Sequence, residues 1–182
     1  MVVMTTLPRG RALTVADIEA MPDDGQRYEL IDGVLVVSPT PAWRHQDVLT
    51  NLLVLLRTTA PAHLRVLPAP TAVIIDERTW VEPDIVVAPK SDYGAKYLDH
   101  PPLLAVEVLS PSNRIYDLNT KFARYERAGI ASYWVVDPDE LRLVVWELVD
   151  GRYVEIADVG PGERWSAVRP FPVAVAPGDL TD

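Results

Sequence analysis

The sequence predicts a mixed α/β fold in which a central β-sheet is flanked by helices, with a β-hairpin near each end of the chain. The predicted order is helix, hairpin, helix, several strands, helix, strand and hairpin, without the regular strand–helix alternation of a doubly wound sheet. Two Asp-Gly pairs, at 32–33 and 150–151, each separate two apolar segments and are strong hairpin signals. The motifs G-x-G-x-x-G and G-x-x-x-x-G-K-[ST] are absent, which argues against a nucleotide-binding fold.

Short apolar runs bounded by turn residues predict the strands, which we place at 27–31, 34–37, 64–67, 71–76, 80–87, 103–109, 132–137, 141–148, 152–157 and, as an edge strand, 171–175. Apolar residues with helical spacing predict helices at 14–21, 42–59 and 115–128. Thr14 is the expected N-cap of the first helix, which residues 22–25 end, and Gly129 ends the third. Residues 88–102 are punctuated by Pro and Gly and are predicted to be a loop.

The length and composition indicate one domain that fills residues 1–182, with a core at about 13–158 and a C-terminal tail at 160–182. The absence of cysteine excludes disulfides and thiolate zinc sites and is compatible with the cytoplasm. No apolar run has the roughly 18 residues that a spanning helix needs, and the N-terminal segment makes a poor signal peptide. We therefore expect a cytoplasmic protein without a membrane partner.

The formal net charge of −9 counts against a simple nucleic-acid binder, which normally carries an excess of Lys and Arg. The charge does not exclude a nuclease, because such an enzyme needs carboxylates that hold a metal. A partner subunit or a local basic surface can then supply the contacts with phosphates.

Two carboxylates are notable because their surroundings are apolar. Asp84 lies in the segment VEPDIVVAP, and Glu107 lies in LLAVEVLSPS. A buried ionised carboxylate is costly unless it is paired or bound to metal, and two on adjacent strands would repel each other. A divalent cation between them removes this penalty, and oxygen ligands favour Mg²⁺ or Mn²⁺ over zinc. The alternative is that each carboxylate caps a strand end or pairs with a nearby arginine.

The third predicted helix brings a lysine toward the same region. Asp117, Lys121 and Tyr125 have the spacing i, i+4, i+8 and share one helix face. The helix follows the strand that carries Glu107, so its early turns can fold back over the end of that strand. Lys121 could instead be a solvated lysine paired with Asp117, and for Tyr125 we favour packing over a hydrogen bond into the site.

The motif Pro83-Asp84, followed by Glu107-Val108-Leu109, resembles the signature of the PD-(D/E)XK nucleases, with Leu109 in the position of the usual lysine. Residues 27–46 and 107–138 resemble the Uma-two family of restriction-endonuclease-like proteins. In that family the lysine is displaced onto the following helix, where this chain has Lys121. The resemblance implies a restriction-endonuclease-like core, a divalent metal and hydrolysis of phosphodiester bonds.

This resemblance suggests roles for the candidate residues. Asp84 and Glu107 would coordinate Mg²⁺ or Mn²⁺ together with the backbone carbonyl of Val108. Lys121 would orient the attacking water or neutralise the transition state. Glu29 is an auxiliary carboxylate, since the family pattern has an acid here; the alternative is a surface residue paired with Arg27 or another basic group.

Two other polar groups are interpreted as structural. His45, near the start of the long helix, is expected to be a partly exposed structural residue, although it could touch a phosphate or the site. Residues 110–112 (SPS) form a turn that starts the third helix, because no nucleophile-elbow motif supplies a histidine base.

The function predicted from the sequence is a Mg²⁺-dependent endonuclease that cleaves DNA. RNA or a small phosphodiester is not distinguished from DNA by charge. A homodimer is expected, since a double-strand cut needs two sites, with the apolar segment VVWEL at 144–148 as its interface. The alternative is a catalytically silent protein that acts as a binding or interaction module. The net charge of −9 and the lack of a basic strip favour the alternative, whereas the joint presence of Asp84, Glu107 and Lys121 disfavours it.

Overall fold

The structure is a computed structural model that describes residues 10–21, 25–111 and 113–181. Most of the predicted helix stop at 22–25, and one serine of the turn at 110–112, lie outside these residues. The α-helices are α1 (Val15–Glu19), α2 (Trp43–Thr59) and α3 (Phe122–Ala128), and α3 directly follows a π-helix (Tyr116–Lys121). In the part of the chain that is described, no helix is long and apolar enough to cross a membrane.

The strands are β1 (Arg27–Ile31), β2 (Val34–Ser38), β3 (Leu64–Pro68), β4 (Val73–Asp76), β5 (Thr79–Val81), β6 (Ile85–Pro89), β7 (Leu104–Val108), β8 (Ser132–Asp137), β9 (Arg142–Val149), β10 (Arg152–Val159), β11 (Trp165–Ala167) and β12 (Val173–Val175). The largest sheet has the order β10-β9-β8-β7-β6-β3. In it, β7 and β8 are parallel and the other neighbours are antiparallel. Helix α2 covers one face, and α3 packs on the other. The predicted mixed sheet flanked by helices is therefore confirmed.

The N-terminal hairpin belongs to a second sheet with the order β2-β1-β5-β4. Its turn has positive φ at both central residues, 54° at Asp32 and 79° at Gly33, as a type I′ turn requires. A Cβ at Gly33 would lie 2.6 Å from the Cβ of Ala12, so glycine is needed for space as well as for φ. The predicted hairpin is confirmed, and it brings β1 to the side of the larger sheet.

The predicted strand at 80–87 is wrong as one element. The chain leaves β5 at Val81, passes through Pro83, and enters β6 at Ile85 in the other sheet. Proline cannot donate to a strand ladder, so Pro83 marks the change of sheet. Asp84 therefore lies just before β6 rather than late in a strand.

The predicted helix at 115–128 is also irregular. Its first part is the π-helix, whose wide turns carry Asp117 and Lys121, and the α-helical part begins only at Phe122. The helix ends at Gly129, which has a φ of 81°, as predicted. Asp117, Lys121 and Tyr125 are all buried on one side, so the predicted shared face is confirmed. The residue types at 116–121 do not predict a π-helix rather than an α-helix.

The segment after residue 160 was predicted to be a tail outside the core, and this is wrong. Strands β11 and β12 pair with each other, and their apolar side chains pack on the α2 face of the large sheet. Phe171, Val175 and Leu180 are buried there. The predicted edge strand at 171–175 is therefore replaced by a small sheet that completes the main core.

Replacement of Phe171 by alanine tests whether this segment supports the fold. Phe171→Ala should lower the free energy of unfolding by about 3–5 kcal/mol, because it opens a cavity in the main core. Val168→Ala is the matched control: Val168 is 78 % exposed, so its loss should cost less than about 0.5 kcal/mol. Urea titrations give both values, and equal stabilities of the two variants would contradict the assignment of this segment to the core.

Candidate active site

A cleft of about 600 Å³ opens where several elements meet: β1, the break before β6, the end of β7, the π-helix and the first turn of α2. The antiparallel register of β6 and β7 pairs Ile85 with Val106. Asp84 and Glu107, the next residues outward on each strand, therefore lie beside one another at this end of the sheet. The sequence had predicted that these two carboxylates share a site on neighbouring strands, and the structure brings them together.

Asp84 is buried and is held by three groups. Its Oδ2 accepts the N–H of Val108 at 2.8 Å and lies 3.2 Å from Nε2 of His45. Its Oδ1 accepts a hydrogen bond from Nη1 of Arg27 at 3.1 Å. Arg27 also donates to the backbone carbonyl of Glu82 and contacts the carboxylate of that residue. The alternative that Asp84 pairs with an arginine thus holds in part, but within a larger cluster.

These partners keep Asp84 ionised. Burial by itself would raise the pKa of Asp84, but the hydrogen bond from His45 and the charge of Arg27 outweigh it and lower the pKa to about 2. Burial would lower the pKa of the Arg27 guanidinium, but the carboxylates of Asp84, Glu29 and Glu107 raise it. Asp84 therefore carries a full negative charge at the N-terminal end of β6.

Glu107 lies beside a buried lysine. Nζ of Lys121 is 3.0 Å from Oε1 of Glu107, 3.0 Å from Oε1 of Glu29 and 3.5 Å from Oδ1 of Asp117. The hydroxyl of Tyr125 donates to the same Oε1 of Glu107 at 2.8 Å. Lys121 is 2 % exposed, so the alternative of a solvated helix lysine is wrong.

The electrostatics of this group are set by burial. Burial raises the pKa of Glu107 well above its usual range, although the charge of Lys121 opposes the shift. Burial would lower the pKa of Lys121, yet the carboxylates of Glu107, Glu29 and Asp117 raise it, so Lys121 stays protonated. A cation placed against Glu107 would favour its ionised form.

The donor set fits a divalent cation that uses few protein ligands. Acidic groups in and around the cleft outnumber the permanently charged basic ones; the acids are Glu29, Glu82, Asp84, Glu107 and Asp117, and the bases are Arg27 and Lys121. Among the described residues, no three His, Asp or Glu side chains converge as a preformed metal cage. Mg²⁺ does not require one, since it usually keeps several waters and binds through one or two carboxylates plus substrate phosphate.

The backbone carbonyl of Val108, the third predicted metal ligand, is oriented toward the side of Asp84. The N–H of Val108 points to Asp84. In an extended strand, the N–H and C=O of one residue leave the backbone on the same side. The carbonyl of Val108 therefore faces the side of β7 on which Asp84 lies.

The structure gathers the four predicted site residues, Asp84, Glu107, Lys121 and Glu29, around one cleft, while their catalytic roles stay a prediction. Glu29 is 2 % exposed and also accepts the N–H of Glu82 at 2.8 Å, so the alternative of a surface residue is wrong. The hydroxyl of Tyr125 reaches the site while its ring packs in the core, so the preference for packing alone was incomplete.

Two basic groups contact Asp84, and the sequence did not predict either contact. His45 is 7 % exposed and lies against Asp84, so the prediction of a partly exposed residue is wrong. A signal existed: His45 falls on the buried stripe of α2, three and seven residues before Val48 and Leu52. Arg27 was considered only as a partner of Glu29. Arg27 and Glu29 are two positions apart in β1, so their side chains lie on the same face of that strand.

The central mixed sheet, its flanking helices and this acidic cleft define an α/β protein with a carboxylate-rich site. Residues 15–180 match the model of the Uma2 family, described as "Putative restriction endonuclease", and the chain belongs to this family, as the resemblance of its sequence predicted. No curated protein matches the sequence.

A solved structure shares the fold. It is a protein from Anabaena variabilis whose crystal structure is described as that of a "putative nuclease belonging to DUF820". The two superpose with a TM-score of 0.76 over 92 % of this chain and 97 % of that chain, at 18 % sequence identity. The likeness establishes the common fold and extends over nearly the whole of both chains.

The pH dependence of stability provides a test of the cleft electrostatics. Burial raises the pKa of Asp117 to about 6 from the ordinary 3.8, although Lys121 opposes the shift. The folded chain therefore holds this proton more tightly than the unfolded chain. The stabilisation is complete below pH 3.8 and is lost as the pH rises through 6. Asp117→Asn carries no such proton and should be about 1–3 kcal/mol more stable than the wild type at pH 8.

The difference between Asp117→Asn and the wild type should shrink as the pH falls to 4. Urea titrations in EDTA at several pH values measure it, and Asp139→Asn is the control because Asp139 is exposed. A constant difference across the pH range would show that the Asp117 carboxyl does not titrate as its surroundings require.

Proposed function

We propose that this protein is a Mg²⁺- or Mn²⁺-dependent endonuclease that hydrolyses phosphodiester bonds of DNA in the cleft. The observation that carries the proposal is the juxtaposition of Asp84 and Glu107 on neighbouring strand ends, with Nζ of Lys121 3.0 Å from Glu107. A buried pair of carboxylates with an ammonium group beside it is costly as a purely structural feature. The description of its family as restriction endonucleases supports DNA as the substrate.

Asp84, Glu107 and the carbonyl of Val108 would hold the cation. When bound, it supplies Lewis acidity toward the phosphate oxygens and lowers the pKa of a water. Asp84 is already ionised, and Arg27 and His45 fix its orientation. Both Lys121 and Tyr125 engage Oε1 of Glu107, so we assign Oε2 to the cation.

Lys121 would orient the attacking water or neutralise charge on the phosphate in the transition state. Its position is rigid because Glu29 of β1 and Asp117, four residues earlier in the same π-helix, bind the same ammonium group. The ring of Tyr125 is locked in the core, so its hydroxyl holds the Glu107 carboxylate as a positioning group. Such preorganised charges are the main source of catalysis in phosphoryl transfer.

A catalytically silent binding module remains the second candidate, and the net charge of −9 favours it. The same Lys121 cluster could serve only to specify the fold, as buried ion pairs sometimes do. The cleavage assay below separates the two functions, because a silent protein would leave every substrate intact in both Mg²⁺ and Mn²⁺.

Replacement of Glu107 by glutamine tests the proposal. In Mg²⁺ or Mn²⁺, wild-type protein should cleave members of a panel of DNA substrates, and Glu107→Gln should be slower by about 100-fold or more, because a neutral amide binds the cation more weakly than a carboxylate. The control is Glu147→Gln. Glu147 is a buried carboxylate of the same large sheet that pairs with Arg169, outside the cleft. Equal cleavage by Glu107→Gln and wild type would contradict the assignment.

We also propose that the protein acts as a homodimer, since two strands need two sites. The predicted interface at 144–148 is not available along a strand edge, because β9 lies between β8 and β10. The edge strands of the large sheet are β10 and β3, and β10 exposes Val154 and Ile156. An uncovered strand edge with apolar side chains favours pairing with a second chain.

Size-exclusion chromatography with light scattering should give a dimer at micromolar protein, and Val154→Glu should shift it to the monomer, since it places charge on the β10 edge. Val34→Glu is the control, because Val34 is an exposed valine on an edge strand of the other sheet. A wild-type monomer would overturn the proposed dimer, and a dimer retained by Val154→Glu would exclude this edge as its interface.

A further inference from the structure

A second groove, of about 480 Å³, lies between the C-terminal end of α2 and β3, far from the carboxylate cleft. Three basic side chains line this basic groove: Arg57 from the last turn of α2, Arg65 from β3, and Lys90, the residue after β6. All three are exposed. Strand β3 is the edge strand of the large sheet opposite β10, so the groove lies along a sheet edge.

These three cations line one groove and lack acidic partners among the described residues. With the described residues, Arg57 and Lys90 form no ion pair, and the Arg65 guanidinium lies 5.4 Å from the ring centroid of Tyr93. Other arginines on the surface do pair, as in Arg142 with Asp158. Asp92 is the nearest acid along the chain, and its Oδ1 accepts the hydroxyl of Ser91. A chain with a net charge of −9 thus keeps a group of unpaired positive charges.

The backbone fixes this group. Arg65 pairs with Ala88 in the β3–β6 ladder, two residues from Lys90. The N–H of Lys90 donates to the carbonyl of His63 at 3.0 Å, which ties the end of β6 to the loop after α2. Arg57 offsets the negative end of the α2 dipole, which would otherwise repel an anion. The groove is therefore a preformed cationic surface.

The same ladder relates the basic groove to the cleft. Pro68 at the other end of β3 pairs with Ile85, next to Asp84. Lys90 is six residues along the chain from Asp84, which corresponds to roughly 20 Å in extended backbone, or about six base pairs of duplex DNA. This separation is too large for contact with the phosphate that is cut and suits phosphates that flank it.

We infer that the basic groove binds the phosphate backbone of the nucleic acid whose cleavage is proposed above, away from the scissile bond; this inference rests on the proposed function. The planar guanidinium groups of Arg57 and Arg65 match phosphate oxygens, and Lys90 adds a point charge. The groove supplies the local basic surface that an acidic nuclease needs for affinity. It gives affinity without sequence preference, because phosphate contacts position the substrate and do not read bases.

The test compares two triple variants with the same change in charge. Arg57→Glu/Arg65→Glu/Lys90→Glu reverses the charge of the three basic side chains in the groove. Arg78→Glu/Arg127→Glu/Lys96→Glu is the control, because these exposed cations also lack ion pairs with described residues and lie outside the groove. Fluorescence anisotropy with a 16-base-pair DNA, at several salt concentrations and without metal, measures binding. A Glu107→Gln background prevents cleavage.

The groove variant should lose about 10-fold or more in affinity at low salt, and its slope of log affinity against log salt should become shallower by about 2 to 3. The control variant should change affinity by less than about 3-fold with the same slope. Equal weakening by both variants, or unchanged binding by the groove variant, would overturn the inference. Polyglutamate that competes for the groove as well as DNA does would also overturn it, since the surface would then be a general anion site.

A second measurement separates this inference from the proposed function. With Glu107 intact, the groove variant should hydrolyse the small diester bis(p-nitrophenyl) phosphate at the wild-type rate, because this substrate reaches only the cleft. Loss of that hydrolysis in the groove variant would contradict the claim that the groove acts separately from the cleft. If neither protein hydrolyses the diester or DNA, the proposed nuclease function fails, while the anisotropy comparison still decides whether the groove binds nucleic acid.

Discussion

The buried ammonium group of Lys121 is the constraint on which the rest of the site depends. A charged lysine is stable in the interior only when carboxylates surround it, and here they come from β1, β7 and the π-helix. These three elements must therefore meet at one point. The N-terminal hairpin, which belongs to the second sheet, is fixed against the main sheet in this way, and the π-helix places Asp117 and Lys121 on the buried side.

The two central carboxylates have opposite surroundings. Asp84 is kept ionised by Arg27 and His45, whereas burial favours the protonated form of Glu107. Pairs of titratable groups whose pKa values are pushed apart are characteristic of functional sites. In this cleft the difference means that a cation entering beside Asp84 would complete the ionisation of Glu107. The free-energy cost of burying these carboxylates would thereby be offset when the cation binds.

Local patterns predicted the parts of the fold that depend on neighbouring residues. The Asp32-Gly33 turn and the all-apolar strand around Glu107 were predicted because turn chemistry and burial leave clear local signals. The contact of Arg27 with Asp84, 57 residues apart, leaves none. The burial of His45 was not predicted, because its place near the start of α2 was given more weight than its position on the buried face of that helix. The basic groove was missed because its cations come from three separate segments.

Calorimetric titration of metal into the cleft tests most directly the central claim, that Asp84 and Glu107 share a divalent cation beside Lys121. Mn²⁺ or Mg²⁺ added to the wild-type protein should give saturable binding, which Asp84→Asn should abolish while Asp139→Asn, altered at an exposed carboxylate, retains it. Absence of saturable binding by the wild type, or equal binding by Asp84→Asn, would contradict the claim and leave the buried charges with a structural role alone.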